Sequence, residues 1–258
     1  MAAIKVVLFC GGTGARLRDF SENVPKPMVH IGYRPILWHV MKYYASFGHK
    51  DFILCLGYRA DVIKEYFLRY NEAVSNDFVL SGEGQVELLG SDIHDWRISF
   101  VDSGVTSSVG ERLRAVQPYV ADDEVFLANY TDGLTDLDLS RYIAEVVDRG
   151  TIANFVSVRP SLTFHVVDAG EEGIVSRIDP VSEADVRINA GWYVFRQEIF
   201  EFLREGEDLV GPPFDRLIAR KELFAHKYDG FWMGMDTFKE KEQLEDMWAS
   251  GKPPWVVW

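Results

Sequence analysis

Apolar runs and polar breaks alternate along the first 160 positions with a steady rhythm. Ile4 to Phe9 is an apolar run interrupted by Lys5 and followed by Gly11, Gly12 and Gly14, the pattern of a strand buried on both faces and opening into a tight loop. Pro35 to Phe47 carries Ile36, Leu37, Val40, Met41 and Tyr44 at helical spacing, which predicts a helix with Pro35 at its first position. Asp51 to Gly57 reads as a strand and Asp61 to Tyr70 as a second helix. Ile98 to Val101, Glu124 to Asn129 and Ile152 to Val158 supply three more strands, with a helix over Leu139 to Val147 between the last two. Strands that alternate with helices of about ten residues need crossover connections. The fold class is therefore α/β: a Rossmann-like, mainly parallel sheet with helices on both faces.

Two stretches break the rhythm. Ser75 to Asp95 has glycines at 82, 84 and 90 between short alternating runs and reads as a hairpin excursion or flap. The last third has candidate strands at Gly173 to Arg177, Ile188 to Phe195 and Phe224 to Tyr228, and reads as a smaller added β region. Pro253 to Trp258 is too apolar to stand in solvent, so it should pack on the body or on a neighbouring subunit. No linker or internal repeat is visible, and the expectation is one domain over 1–258, with a core over 1–160 and a second region over 161–258.

Composition narrows the function. The chain has 258 residues, 47% of them apolar, and a formal net charge of −13. That balance argues against partners such as nucleic acid or an anionic membrane, since either needs a broad basic face. Anionic ligands must then be held by a few local cations. Met1 to Leu8 lacks a basic flank and runs into a polar glycine loop, so neither a signal peptide nor a membrane span fits, and the expected location is cytoplasmic. Cys10 and Cys55 fall in or beside buried runs and read as core thiols rather than a disulfide.

The chemistry begins at Gly11-Gly12-Thr13-Gly14-Ala15-Arg16-Leu17, followed by Lys26 within Pro25-Lys26-Pro27-Met28. Glycines let backbone N–H groups approach a polyphosphate, Arg16 can fork onto phosphate oxygens, and Lys26 adds a point charge. The segment lacks the Gly-Lys-Ser/Thr ending of a P-loop, and Leu17 stands where the dinucleotide fingerprint needs its third glycine. Taken alone it also fits a plain tight turn. Asp132, in Asn129-Tyr130-Thr131-Asp132-Gly133, leaves a strand at the C-terminal end, where open parallel sheets place ligands and where an aspartate can hold Mg²⁺. Magnesium takes one or two protein carboxylates, and Asp236 is the candidate for the second. Asp236 could instead cap the helix Phe238 to Trp248. Thr237-Phe238-Lys239-Glu240 has the capping-box form, which makes Thr237 the better cap.

Gly-Gly-x-Gly-x-Arg-Leu, Pro-Lys-Pro-Met, Tyr-x-Asp and Met-Asp-Thr occur here in the order that marks the sugar-1-phosphate nucleotidyltransferases, and the chain resembles that family over nearly its whole length. Within the family the likeness runs to the cytidylyltransferases of glucose 1-phosphate, through Pro35 to Met41, Gly57-Tyr58-Arg59 and the tail from Gly230 to Trp258. The resemblance implies a nucleotide-diphospho-sugar transferase-like fold and transfer of a nucleotidyl group from CTP to a phosphorylated acceptor. Arg16 and Lys26 would be catalytic. Gly11, Gly12, Thr13, Gly14, Arg112 and Thr131 would help bind the nucleotide, and Asp132 and Asp236 would hold Mg²⁺. Arg112 would otherwise be a surface helix arginine. The second region would bind the acceptor, and the family's members assemble as homo-oligomers.

Departures from the family pattern cluster on the acceptor side. Ala15 replaces a hydroxyl residue, and Thr131 replaces the glycine of Tyr-Gly-Asp. Arg-Phe-Gly becomes Thr163-Phe164-His165, and Glu-Lys-Pro becomes Ile178-Asp179-Pro180. Asn189, in Ile188-Asn189-Ala190-Gly191, keeps the asparagine that contacts the sugar, which leaves Asn189, Asp179 and His165 as the acceptor candidates. His165 or Arg187 would replace the lost cation. The alternatives are a cytidylyltransferase for another sugar phosphate, a non-sugar phosphate or a phosphonate, or a non-catalytic nucleotide-sugar-binding protein.

Overall fold

The computed structural model describes residues 3–12, 24–160 and 164–258. Its centre is an eight-stranded sheet. Val6–Phe9 lies between Asp51–Leu56 and Val125–Tyr130, parallel to both, and Arg97–Asp102 extends the sheet in parallel beyond Asp51–Leu56. On the other side Tyr193–Arg196 runs antiparallel between Val125–Tyr130 and Ala153–Val158. Ala153–Val158 pairs in parallel with Leu223–Tyr228 along its length, and antiparallel with Ile188–Asn189 at its far end.

The apolar run at the start has the burial that such a position demands. Val6 and Leu8 point into one core with Ile36, Leu37, Val40 and Met41 of helix Ile36–Ser46 and Ile143 of helix Leu139–Arg149. Val7 and Phe9 point into a second core with Leu113, Ile199, Phe214 and Leu217. Helices thus cover both faces, as the alternation of elements predicts. Helix Leu139–Arg149 is closed by Asp138, whose side chain accepts from the Arg141 N–H, and by Gly150 in the left-handed region at φ 78°, so both ends are set by local chemistry.

Several expected boundaries shift. Pro35 does not open its helix: at ψ 153° it is extended and pairs with His30, and the helix begins at Ile36. The single strand expected over Ile188 to Phe195 is broken at Ala190 to Trp192. Gly191 has φ 86° and Trp192 φ 49°, and the buried Asn129 side chain accepts the Trp192 N–H at 3.0 Å. A Cβ on Gly191 would stand 2.4 Å from the Asn129 Oδ1, so a glycine is needed there. The strand expected at Gly173 to Arg177 runs over Val175–Pro180, paired with His165–Ala169 in a separate hairpin. Of the other strands expected there, Ile188–Asn189, Tyr193–Arg196 and Leu223–Tyr228 join the central sheet.

The Ser75 to Asp95 excursion is a hairpin of Phe78–Leu80 and Val86–Leu88. Its base is tied down by the buried Arg34 guanidinium, which donates to the Asn71 carbonyl at 2.8 Å and to Ser75 Oγ. The apolar tail packs on the body: Trp255 is 1% exposed and stacks near Phe231. Its indole N–H donates to His39 Nδ1 at 3.4 Å, while His39 Nε2 meets the Ile31 carbonyl at 2.9 Å. Those partners select the Nε2–H tautomer of a neutral ring. Among the described residues no helix is long and apolar enough to cross a membrane.

Burial lowers the His39 pKa from 6.5 to about 4. Between those values the unfolded chain binds more protons than the folded one, so the stability from keeping this ring neutral is complete above about pH 6.5 and falls as pH drops toward 4. Urea unfolding at pH 7.5 and at pH 5 should show His39 costing the wild type about 2 kcal/mol over that interval. A His39→Gln variant should lack this component, and equal losses in both proteins would refute it.

Candidate active site

Asp132 and Asp236 come together through a short antiparallel pairing. Gly133–Thr135, immediately after Asp132, pairs with Trp232–Gly234, and Gly234 lies opposite Gly133. The Met235 N–H donates to the Asp132 carbonyl at 2.7 Å. Glycine at both facing positions leaves room for the Trp232 indole, which lies 3.3 Å from the Cβ sites of both Gly133 and Gly234. Thr237, not Asp236, caps helix Phe238–Ala249 through a complete capping box with Glu240, as the Thr-x-x-Glu pattern predicts. The Glu240 carboxylate also accepts the Asp236 N–H at 2.8 Å. This second duty fixes the backbone of Asp236, and only the capping-box pattern hints at it in sequence.

Lys26 stands at the start of a short 3-10 turn, Lys26–Met28, placed by the extended Pro25. Its Nζ lies 2.6 Å from Asp132 Oδ2 and 2.7 Å from Asp236 Oδ1. Burial pushes the Lys26 pKa down, but the two carboxylates outweigh it and leave the pKa raised. The ammonium is therefore fixed in the charged form. The lysine side chain is 14% exposed, whereas Asp132 and Asp236 are 36% and 50% exposed, so each carboxylate keeps a face toward solvent.

The glycine loop leaves the first strand beside this cluster. The Cys10 N–H donates to the Cys55 carbonyl at 3.0 Å, and Gly11 is buried while Gly12 is exposed. Thr13, Gly14 and Arg16 lie outside the described residues. Thr131, one position before Asp132, donates its hydroxyl to the Phe9 carbonyl at 3.1 Å. Cys10 and Cys55 are free and buried, and burial raises both thiols, Cys55 to about 12. They are core residues.

Arg112 is not a surface arginine. It is 4% exposed and projects from helix Val109–Ala115, whose start is fixed by the Ser108–Glu111 capping box. Its Nη1 donates to the Leu56 carbonyl at 3.1 Å and to Ser103 Oγ at 2.8 Å, and its Nη2 donates to the Gly11 carbonyl at 3.0 Å. The guanidinium thus braces the ends of three elements: Gly11 after the first strand, Leu56 at the end of Asp51–Leu56 and Ser103 after Arg97–Asp102. Ser103 is the partner that sequence reading missed.

On the acceptor side the candidates separate. Asn189 Nδ2 donates to Tyr193 Oη at 2.7 Å, and Tyr193 Oη lies 3.0 Å from Tyr130 Oη. This chain of three residues ties Asn189 to the strand Val125–Tyr130, which ends two positions before Asp132, and the two tyrosine hydroxyls were not legible as site residues. His165 and Asp179 sit on the outlying hairpin, where Asp179 is ion-paired with Arg177. Arg187 is engaged elsewhere: it donates to the Ser157 and Tyr228 carbonyls and pairs with Asp229 at 2.6 Å. It therefore does not stand ready as the replacement cation.

A family model described as nucleotidyl transferase matches residues 5–239. The chain is 36% identical over 256 residues to a glucose-1-phosphate cytidylyltransferase of Salmonella typhimurium, covering 99% of this chain and 100% of that one. It is 37% identical over 257 residues to the corresponding protein of Salmonella typhi, with the same coverage. Among solved structures it is similar to a UDP-glucose pyrophosphorylase complexed with UDP-glucose, with a TM-score of 0.70, 14% identity and coverage of 97% of this chain and 100% of that chain. At that identity the likeness bears on the fold alone.

Gly11 tests the bracing role of Arg112. A Cβ on Gly11 would stand 1.9 Å from Arg112 Nη1, and the guanidinium cannot retreat without releasing buried carbonyls. Gly11→Ala should destabilise the protein by about 2–4 kcal/mol, measured by denaturant unfolding. A Gly12→Ala control, with no atom of the described residues within 4 Å of its Cβ site, should stay within about 1 kcal/mol of wild type. Equal effects would remove the bracing role.

Proposed function

Because the chain belongs to the nucleotidyl transferase family, we propose that it condenses CTP with a sugar 1-phosphate, glucose 1-phosphate first among them, and releases pyrophosphate. The observation that carries the reading is the Lys26 ammonium between Asp132 and Asp236, with Asp132 just beyond the C-terminal end of Val125–Tyr130, which runs parallel to Val6–Phe9. Such a cluster of one cation and two carboxylates suits phosphoryl chemistry, in which the protein supplies charge and alignment rather than a covalent nucleophile.

In this reading an oxygen of the acceptor phosphate attacks the α-phosphorus of CTP, the bond from that phosphorus to the bridging oxygen breaks, and the electron pair leaves with pyrophosphate. A phosphate oxygen is already deprotonated at neutral pH, so no general base is required. The backbone of Gly11, Gly12, Thr13 and Gly14 cradles the triphosphate, and Arg16 steadies the departing β- and γ-phosphates. Lys26 bridges the α-phosphate and the acceptor phosphate. Thr131 and Arg112 shape the nucleotide side, and Asn189 orients the sugar. The region over 161–258 contributes most of the acceptor side.

Asp132 and Asp236 would hold Mg²⁺, which supplies neutralising charge to the phosphates. The residues fit that ion: two carboxylates converge on a position that already attracts a cation. Magnesium characteristically takes one or two carboxylates and completes its shell with phosphate and water. The reading also carries a cytoplasmic homo-oligomer. In its favour, Phe78, Leu80, Val86 and Leu88 share one face of their hairpin and are each at least 40% exposed.

Pyrophosphate release measured with Mg²⁺, each of the four nucleoside triphosphates and a panel of phosphorylated acceptors tests the proposal. CTP with glucose 1-phosphate should give the fastest turnover. No release with any pair would refute the reading, and turnover with another acceptor alone would move the substrate while keeping the chemistry. Asp132→Asn should lower turnover at least about 100-fold while circular dichroism and melting stay near wild type. Near-normal turnover in that variant would remove the metal role.

A further inference from the structure

We infer that Lys26 is the resident cation of the metal site: without nucleotide its ammonium closes Asp132 and Asp236 to a free divalent ion, so the metal enters with the nucleotide rather than ahead of it. This goes beyond the nucleotidyl-transfer reading, on which it rests for the identity of the two carboxylates as metal ligands.

The geometry is that of a filled cation site. One ammonium contacts one oxygen from each aspartate, at 2.6 and 2.7 Å. Its own side chain is mostly shielded, held by the turn Lys26–Met28, whose Pro27 and Met28 are buried. Among the described residues, two carboxylates share one ammonium. A free divalent ion that reached the same oxygens would meet the ammonium at contact distance, and like charges so close are strongly disfavoured. Lys26 would have to leave for the ion to bind. Within the described residues the aspartates are its recorded ion-pair partners, so leaving would strand a half-buried charge.

A nucleoside triphosphate removes that penalty. Its phosphate oxygens offer Lys26 new anionic partners at the moment the metal takes over the carboxylates. The exchange keeps every charge paired: the ammonium passes from carboxylate to phosphate while the metal passes from bulk water to carboxylate. The solvent-facing sides of Asp132 and Asp236, 36% and 50% exposed, give an arriving metal–nucleotide complex access without opening the fold. In the free protein the same lysine keeps two repelling carboxylates together, so that the site is already assembled when the complex arrives.

Mn²⁺ titration followed by the electron paramagnetic resonance of the free ion, with no nucleotide or acceptor present, tests this directly. Wild type should bind Mn²⁺ weakly, and Lys26→Met should bind it at least about tenfold more tightly. Adding Asp132→Asn to Lys26→Met should abolish the gain. Equal or weaker binding by a folded Lys26→Met protein would overturn the inference. A second measurement uses wild type alone, in case the variant does not fold. In protein labelled with ¹⁵N at lysine Nζ, the Lys26 ammonium resonance should stay in place when Mg²⁺ is added alone and should shift when CTP is added with it. A shift on Mg²⁺ alone, or no shift with both, would overturn the inference. Neither measurement reads turnover, so failure here and failure of the pyrophosphate assay are separate results.

Discussion

The ion cluster of Lys26, Asp132 and Asp236 joins parts of the chain 106 and 210 residues apart in sequence, and the layout of the fold serves to bring those three charges to one point. Each arrives by a different device. Lys26 is set by a proline-bounded turn after the first strand, Asp132 by the end of a parallel strand, and Asp236 by a two-strand pairing that locks it to Asp132 through the backbone. Two carboxylates gathered on one point repel each other, and a cation between them offsets that repulsion. In the free protein that cation is an amino-acid side chain.

A second buried cation serves the loop in a different way. Arg112 reaches carbonyls at the ends of strands Val6–Phe9 and Asp51–Leu56 and a serine beyond Arg97–Asp102, so it ties the C-terminal edge of three parallel strands into one rim. A guanidinium with fixed planar donors suits such a task better than an ammonium would. The missing side chain of Gly11 is what admits it. Sequence alone gives a glycine followed by glycines, which is easily attributed to a ligand's approach. The structure adds that for Gly11 the close neighbour is the protein's own arginine.

The alternation of strand and helix, burial on both faces and the Thr237 cap were all legible from the residues, because each rests on a local rule; the ion pairs of Lys26 with both aspartates were not. Nor was the break at Gly191. Residues 188 to 195 are apolar enough to read as one strand, and the cause of the break is Asn129, sixty-two residues away in sequence and adjacent only after folding. The same limit hid the Asn189–Tyr193–Tyr130 chain and the Arg112–Ser103 contact, since hydrogen bonds between distant polar groups leave no periodic trace. Arg187 shows the converse error: a cation in a suggestive place whose donors are already engaged.

These assignments also bear on how so acidic a protein holds anionic ligands. Of the described cations that sequence reading put forward, Arg112 and Arg187 are engaged by carbonyl oxygens, with Asp229 added for Arg187, and Lys26 is paired with carboxylates. Each is balanced within the fold, as it must be where burial makes an unpaired charge costly. A positive group kept paired in the free protein can serve a phosphate only by exchanging partners, and the exchange is favourable only when a second cation takes the partner left behind. Arg112 and Arg187 have backbone carbonyls as partners, which a metal at the aspartates cannot relieve. Lys26 has two carboxylates, which such an ion can take over. The chemistry of its partners, more than its position, is what distinguishes Lys26 from Arg112 and Arg187 as a cation that can move to the substrate.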